Sequence, residues 1–265
     1  MTAASDTMWA PRAGPAVAPP IYQCRDLVKR RGGAGGGFEL RVPELRIAPG
    51  EVMLVRGPSG CGKSTLLDLL ALALRPSDAA EFRFRPEPGP MDVMALWRGG
   101  RLDALGRLRG KHLGYVLQTG GLLPFLRVRE NIALSCRLLG MSPEPTATEL
   151  AERLGIAAQL DKSPLQLSVG ERQRAAIARA LAHHPIVLLA DEPTASVDPL
   201  AAKTIFGLML ELVREAGITA VIATHDRHWA DAAATQPSAA PAVPVRVLEH
   251  RLERGDALTR SLFWT

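Results

Sequence analysis

The sequence predicts an α/β fold with a mostly parallel core sheet that helices cover on both faces. Short apolar segments of strand length, at residues 51–56, 186–190 and 218–224, alternate with segments of helical periodicity. This alternation is typical of parallel sheets. Glycines follow the first of these strands directly, and two acidic residues end the second. The carboxyl end of such a sheet is the edge at which ligands bind.

The N-terminal part predicts a tail followed by a β-hairpin. Residues 1–20 are rich in Pro and Ala and lack an apolar segment of secretory type, so a flexible tail is expected. Residues 21–28 predict a first strand, and alternation of apolar and polar residues over 38–42 predicts a second. The glycine-rich segment 30–38 is expected to be a loop. Together they predict an N-terminal antiparallel β subdomain.

Helical patterns dominate the middle of the chain. Residues 63–74 predict a helix, and the segment 91–165 predicts a helical subdomain in which leucines recur every three residues, at Leu102, Leu105 and Leu108. Residues 231–265 are predicted to lie outside the main domain, as an Ala/Pro-rich insertion followed by a short strand-like segment at 245–255.

Composition excludes several classes of protein. The 265 residues contain 32 Lys+Arg against 27 Asp+Glu, a formal net charge of +5. This excess is small and forms no dense basic stripe, so no nucleic-acid partner is expected. Three widely spaced cysteines indicate neither a disulfide framework nor a zinc site, and favour a reducing compartment. The apolar runs are too short to span a bilayer, so a membrane role would require a partner.

A phosphate-binding loop is predicted between the strand at 51–56 and the helix at 63–74. Glycines in the pattern G-x-x-x-x-G-K-[ST] let successive backbone N–H groups and a helix N-terminus point at phosphate oxygens. Lys63 supplies charge for the β- and γ-phosphates, and Ser64 offers a hydroxyl to Mg²⁺. The candidate phosphate ligands are Gly57, Pro58, Ser59, Gly60, Cys61, Gly62, Lys63, Ser64 and Thr65.

Two adjacent carboxylates end the strand at 186–190. Asp191 is placed to hold Mg²⁺ through its water shell, and Glu192 is placed to polarise an attacking water. On its own, such a pair is also compatible with a solvated strand end. The phosphate loop upstream favours the catalytic interpretation.

Four further motifs appear in an order typical of one family. They are Gln118 in GYVLQTGGLLPF, the signature Ser168-Val169-Gly170-Glu171, the turn Ser196-Val197-Asp198, and His225 in ATHD. With them, the chain resembles the ATP-binding subunit of an ABC transporter. The resemblance implies a P-loop NTPase fold over residues 21–230, ATP as substrate, Mg²⁺ as cofactor and ATP hydrolysis.

The resemblance also implies roles for single residues. Gln118 contacts Mg²⁺ and water, His225 orients the γ-phosphate and attacking water, and Asp198 couples two sites across a homodimer. Ser168 and Gly170 close over the γ-phosphate bound by the second copy, which agrees with their place before a helix N-terminus. Ser168 and Glu171 also match a capping box, and both interpretations can hold together.

Three positions depart from the family pattern. Val169 stands where a glycine is most common, and Glu171 replaces a common glutamine. The aromatic residue that stacks on adenine is replaced by Arg31, so we expect either the Arg31 guanidinium plane, or Tyr22 or Phe38, to contact the base.

Within the family, the chain resembles the subunits of lipoprotein-release, macrolide-export and cell-division complexes. This implies an integral membrane permease as partner, docked near residues 118–131, and a cytoplasmic location, peripheral on the inner face of the cell membrane. Two alternatives stay open. One is a non-transport ABC ATPase that acts on nucleic acid or ribosomes, and the other is a nucleotide-binding scaffold of a division or secretion machine.

Overall fold

The computed structural model describes residues 19–33, 36–86, 89–225, 244–254 and 258–264. Within them the strands are β1 (Tyr22–Gly33), β2 (Gly36–Ile47), β3 (Val52–Arg56), β4 (Glu81–Phe84), β5 (Met91–Asp92), β6 (Leu113–Val116), β7 (Val187–Asp191), β8 (Thr219–Thr224), β9 (Val245–Arg254) and β10 (Leu258–Trp264). The helices are α1 (Lys63–Leu70), α2 (Val93–Arg98), α3 (Leu102–His112), α4 (Val128–Leu138), α5 (Thr146–Arg153), α6 (Val169–Leu181) and α7 (Pro199–Glu215).

These strands form a sheet in the order β5-β4-β1-β2-β10-β9-β3-β8-β7-β6. The neighbours from β9 to β6 are all parallel, whereas β1 pairs antiparallel with both β2 and β4. The predicted α/β fold with a mostly parallel core sheet and an N-terminal antiparallel part is confirmed.

Alternate residues of the central strands face opposite hydrophobic layers. Leu54 of β3 and Ile222 of β8 pack with α4 to α7, whereas Met53 and Val221 pack with α1 and the antiparallel strands. The period of two along each strand places successive side chains on opposite faces. Both faces are therefore buried, which explains why these strands are continuously apolar. Within the described ranges, no helix is both long and apolar enough to cross a membrane.

The prediction of a loop over residues 30–38 is wrong for most of that range. Strands β1 and β2 continue into the glycines, where Arg31 pairs with Phe38 and Gly32 with Gly37. Ladder hydrogen bonds come from the backbone, so glycines weaken such a ladder without preventing it once the flanking residues are paired.

The segment 91–165 contains helices, as predicted, but also two strands of the sheet. Strand β5 pairs with β4, and β6 pairs with β7 in the parallel core. Leucine spacing identified α3 correctly, yet Leu105 of α3 packs in the layer of α1, opposite the layer of α4 and α5. Apolar periodicity in a sequence predicts a helix and its apolar face. It does not indicate on which side of the sheet that helix packs.

The C-terminal strands lie in the middle of the sheet rather than outside it. Strand β9 pairs parallel with β3, and β10 lies between β9 and β2. The strand-like segment predicted at 245–255 is found as β9, but β10 and the contacts of both strands were not predicted. The predicted tail, except residues 19–20, residues 226–230 of the predicted ATPase domain and residues 231–243 of the predicted insertion lie outside the described residues.

Candidate functional site

The predicted phosphate loop lies between β3 and α1. Its glycines Gly57, Gly60 and Gly62 have φ values of 155°, 79° and 101°, a range that residues with a side chain rarely adopt. A Cβ atom on Gly62 would also lie 2.9 Å from the Phe38 ring. The motif therefore meets both a conformational and a steric need for glycine.

Lys63 folds back into this loop. Its buried ammonium group donates to the carbonyl oxygens of Gly57 at 2.8 Å and Pro58 at 3.1 Å. It also lies 3.1 Å from Oε1 of Glu192. A charge-assisted arrangement of this kind holds the cation where an anionic ligand of the loop would sit.

The carboxyl end of β7 brings both predicted acidic residues to the loop. The Ser64 hydroxyl donates a hydrogen bond to Asp191, while burial, reinforced by the charge of Glu192, raises the pKa of Asp191 above its ordinary value. Glu192 adopts a left-handed backbone conformation, with φ of 46°, which is uncommon for a residue with a side chain. Its second oxygen, Oε2, lies 3.0 Å from Nδ1 of His225. Glu192 thus bridges Lys63 and His225.

Oxygen ligands suited to Mg²⁺ lie at this edge of the sheet. The Ser64 hydroxyl and the Asp191 carboxylate are joined by a hydrogen bond. Gln118 follows β6 by two residues, and Val116 of β6 pairs with Ala190 of β7, so Gln118 lies at the same edge with an exposed side chain. Hydroxyl, carboxylate and amide oxygens are hard ligands, so these residue types fit the ion.

Ser168 and Gly170 lie at the N-terminus of α6. The predicted capping box is present: the Glu171 N–H donates to Oγ of Ser168 at 3.2 Å, and the Ser168 N–H donates to Glu171 at 2.7 Å. A Cβ atom on Gly170 would make only ordinary contacts, at 3.7 Å and 3.8 Å. Glycine is therefore not required there for monomer packing.

Asp198 lies at the N-terminus of α7. Its exposed side chain accepts a hydrogen bond from the Ala201 N–H at 3.0 Å. Asp198 and Ser168 both cap helices locally, and both remain accessible from solvent. The structure therefore brings together Lys63, Ser64, Asp191, Glu192 and His225, and leaves Ser168, Gly170 and Asp198 at exposed helix starts.

One of the three residues predicted to contact a base is excluded. The Tyr22 side chain is fully buried, its hydroxyl donates to the Leu70 carbonyl at 2.8 Å, and its ring stacks on Phe84 at 4.9 Å. Tyr22 is therefore a core residue. Arg31 is exposed and pairs across the hairpin with Phe38, whose ring packs near Gly62.

Sequence reasoning missed the contacts that the C-terminal strands make with the loop. The Ser261 hydroxyl donates to the Cys61 carbonyl at 2.6 Å. The His250 ring lies 3.3 Å from the position a Cβ atom would take on Gly57, and it packs against Phe263 at 5.0 Å. Apolar alternation marks a strand at 245–255, but no local signal shows which element it touches.

Comparison with known proteins agrees with this geometry. The ABC transporter family pattern matches residues 40–195. The lipoprotein-releasing system ATP-binding protein LolD of Idiomarina loihiensis is 39% identical over 215 residues, which cover 80% of this chain and 90% of that protein. The macrolide export ATP-binding/permease protein MacB of Marinobacter nauticus is 37% identical over 225 residues, which cover 82% of this chain and 33% of that protein.

A solved structure shares the fold. The dimeric post-hydrolysis structure of the ATP-binding cassette MJ0796, bound to ADP and Pi, has a TM-score of 0.68 and 30% identity, covering 78% of this chain and 89% of that chain. The predicted resemblance to the lipoprotein-release and macrolide-export group is confirmed by the relatives. The family implies that the chain binds and hydrolyses ATP. The chain belongs to the ABC transporter family, as one of its ATP-binding proteins.

Proposed function

We propose that this chain is the ATP-hydrolysing subunit of a membrane transport complex, in which two copies form composite ATP sites and drive an integral membrane permease. The observation that carries the proposal is the bridge of Glu192 between Lys63 and His225, at 3.1 Å and 3.0 Å. In this proposal the bridge links Lys63, which would bind phosphate, to Glu192 as the base and to His225, which would orient the γ-phosphate and the attacking water.

Nucleotide binding would rearrange this bridge. A triphosphate in the loop offers Lys63 oxygens of higher charge than Glu192 does, so the lysine turns to the phosphates. Glu192 is then free to accept a proton from the attacking water, a contribution of about 10²- to 10⁴-fold for a positioned base. His225 remains within hydrogen-bond distance to hold Glu192 and the γ-phosphate in line.

Ser64, Asp191 and Gln118 would hold Mg²⁺. When bound, the ion neutralises charge that develops on the β- and γ-phosphate oxygens. Asp191 is already oriented by the Ser64 hydroxyl. The exposed Gln118 side chain is free to approach when nucleotide is present.

A second copy would complete each site. Ser168, Gly170 and Asp198 lie at exposed helix starts and not among the residues gathered around Lys63. The N-terminal dipole and free N–H groups of α6 favour an anion. A head-to-tail dimer would place Ser168 and Gly170 on the γ-phosphate bound by the other copy, and Asp198 would couple the two sites. The similar cassette MJ0796 is dimeric with ADP and Pi.

A permease would dock on the surface of residues 118–131. Phe125 in this surface is an aromatic residue that is 79% exposed, so it is available to a partner. Similar proteins are named for lipoprotein release and for macrolide export with a permease. We therefore place the chain on the cytoplasmic face of the membrane, held there by the permease.

The test measures phosphate release from MgATP by the purified chain, and by the chain isolated from its own membranes in mild detergent. We expect Mg²⁺-dependent release and an integral membrane protein in equal amount. The variant Phe125→Asp should lose that protein, whereas Leu138→Asp, also 79% exposed but at the far end of α4 and outside residues 118–131, should retain it. Absence of phosphate release in both preparations would refute the ATPase, and hydrolysis without a membrane partner would refute the transport role.

A further inference from the structure

The C-terminal strand β10 makes a buried hydrogen bond to the phosphate loop. The Ser261 hydroxyl donates to the Cys61 carbonyl oxygen at 2.6 Å, and both residues are almost completely buried. Ser261 belongs to none of the family motifs. Its partner, however, lies one residue before the glycine that caps α1.

This hydrogen bond fixes the direction of a neighbouring N–H group. The Cys61 carbonyl and the Gly62 N–H belong to one planar peptide unit, in which C=O and N–H point in opposite directions when the bond is trans. Because the carbonyl points at β10, the Gly62 N–H points away from β10. N–H groups at the start of such a helix are the ones that bind phosphate.

Neighbouring residues restrict the movement of both Ser261 and Gly62. Ser261 is fixed by backbone pairing with Leu40 of β2 on one side and Leu252 of β9 on the other. The Phe38 ring approaches Gly62 so closely that a Cβ atom there would lie 2.9 Å from it. Rotation of the Cys61–Gly62 peptide would therefore break a buried hydrogen bond, in a place with little free space around Gly62.

We propose that Ser261 is a positioning residue for nucleotide binding, which orients the Gly62 N–H towards the phosphates. The inference rests on the proposed ATP-binding function and adds a residue that lies about 200 positions from the loop it serves. Loss of the hydroxyl leaves the buried Cys61 carbonyl without this donor, so the peptide is free to turn. Phosphate affinity then falls while the base contacts are unchanged.

The experiment compares Ser261→Ala with Ser261→Cys in the full chain. Alanine removes both hydroxyl and volume, whereas cysteine keeps the volume and donates only weakly. We expect both variants to bind MgATP, and to bind pyrophosphate as a competitor, roughly three- to tenfold more weakly, the usual effect of one lost hydrogen bond. Pyrophosphate has no base, so a lower affinity for pyrophosphate reports a change in the phosphate loop alone.

Thr259→Ala is the matched control, because Thr259 lies on the same face of β10 but is only half-buried. It should bind both ligands as the parent does. Parent-like affinity in either Ser261 variant, or a lower unfolding temperature as the sole effect, would overturn the inference. If Ser261→Ala fails to fold, the affinities of the folded Ser261→Cys variant for MgATP and pyrophosphate decide the test. A parent chain that binds no MgATP would refute the proposed function itself.

Discussion

The ammonium group of Lys63 lies 3.1 Å from the carboxylate of Glu192, and these side chains are only 4% and 11% exposed. The residue that should bind phosphate is thus paired with the residue that should activate water. If the proposed roles hold, an entering triphosphate would replace Glu192 as the partner of Lys63. Nucleotide binding and release of the base would then be coupled through one ion pair.

Glu192→Gln should slow ATP hydrolysis but strengthen ATP binding. Glutamine cannot accept the proton, so hydrolysis should fall by at least about 100-fold. It also carries no charge, so Lys63 is released and MgATP should bind roughly three- to tenfold more tightly. Phosphate release and equilibrium nucleotide titration measure the two effects. Glu211→Gln, an exposed carboxylate on α7, is the control, and turnover of Glu192→Gln at the parent rate would contradict the assignment.

Gly170→Ala should block dimer formation without harming the monomer. The nearest side-chain atoms would lie 3.7 Å and 3.8 Å from the new Cβ, and alanine favours a helix over glycine by about 0.5–1 kcal/mol. The free energy of unfolding should therefore rise slightly. In the proposed dimer, however, the methyl group would obstruct the N–H that faces the phosphate bound by the second copy.

Light scattering of Glu192→Gln with MgATP, with and without Gly170→Ala, measures this loss of dimer. Gly110→Ala is the control, since a Cβ on this α3 glycine meets nothing within 4 Å. A full yield of dimer with Gly170→Ala would show that the α6 N-terminus does not contact the second site.

Arg31→Ala should weaken ATP binding but leave pyrophosphate binding unchanged. Arg31 is exposed next to Phe38 at the end of the hairpin, and stacking of a guanidinium at an exposed site contributes about 0.5–1 kcal/mol. We expect a roughly two- to fivefold loss of ATP affinity. Arg31→Lys keeps the charge but lacks the planar group, so it should lose affinity too. If Arg31→Ala binds normally and Phe38→Leu does not, Phe38 is the base contact.

His183 should make stability depend on pH. The side chain is buried, its Nε2 donates to the Leu113 carbonyl at 3.1 Å, and burial lowers the pKa of His183 below its ordinary value. Between its unfolded pKa of about 6.5 and its lower folded pKa, the unfolded chain binds more protons. Stability should therefore fall as pH decreases through this window.

Denaturant titrations of the parent and of His183→Asn between about pH 7 and pH 5 test this. Asparagine retains a donor for the Leu113 carbonyl but does not titrate. The variant should be less stable at pH 7, with a shallower decline towards pH 5. Equal slopes in the two proteins would exclude His183 as the cause.

Chemistry encoded in short contiguous segments was predicted from the sequence. The phosphate loop, the β7 strand that ends at Asp191, and the capping box of Ser168 with Glu171 each depend on residues within about one turn or strand of one another. Local backbone geometry, such as positive φ at Gly62, follows from those residues alone.

Prediction failed where distant segments meet. The Tyr22 ring is as suitable for stacking as any aromatic residue, but its packing against Phe84 buries it. Leu105 marks a helix, but its layer follows from the pairing of β6 with β7. The glycines after Arg31 predict a loop, but pairing with β2 extends the strand.

The amino-acid sequence by itself determined the candidate site residues, because Lys63, Asp191 and Glu192 each belong to a local pattern with a physical meaning. Only the tertiary structure decided that Glu192 lies between Lys63 and His225, and that Ser261 lies beneath the phosphate loop. Strand order in a sheet depends on the combined burial of all layers, and no short segment contains that information.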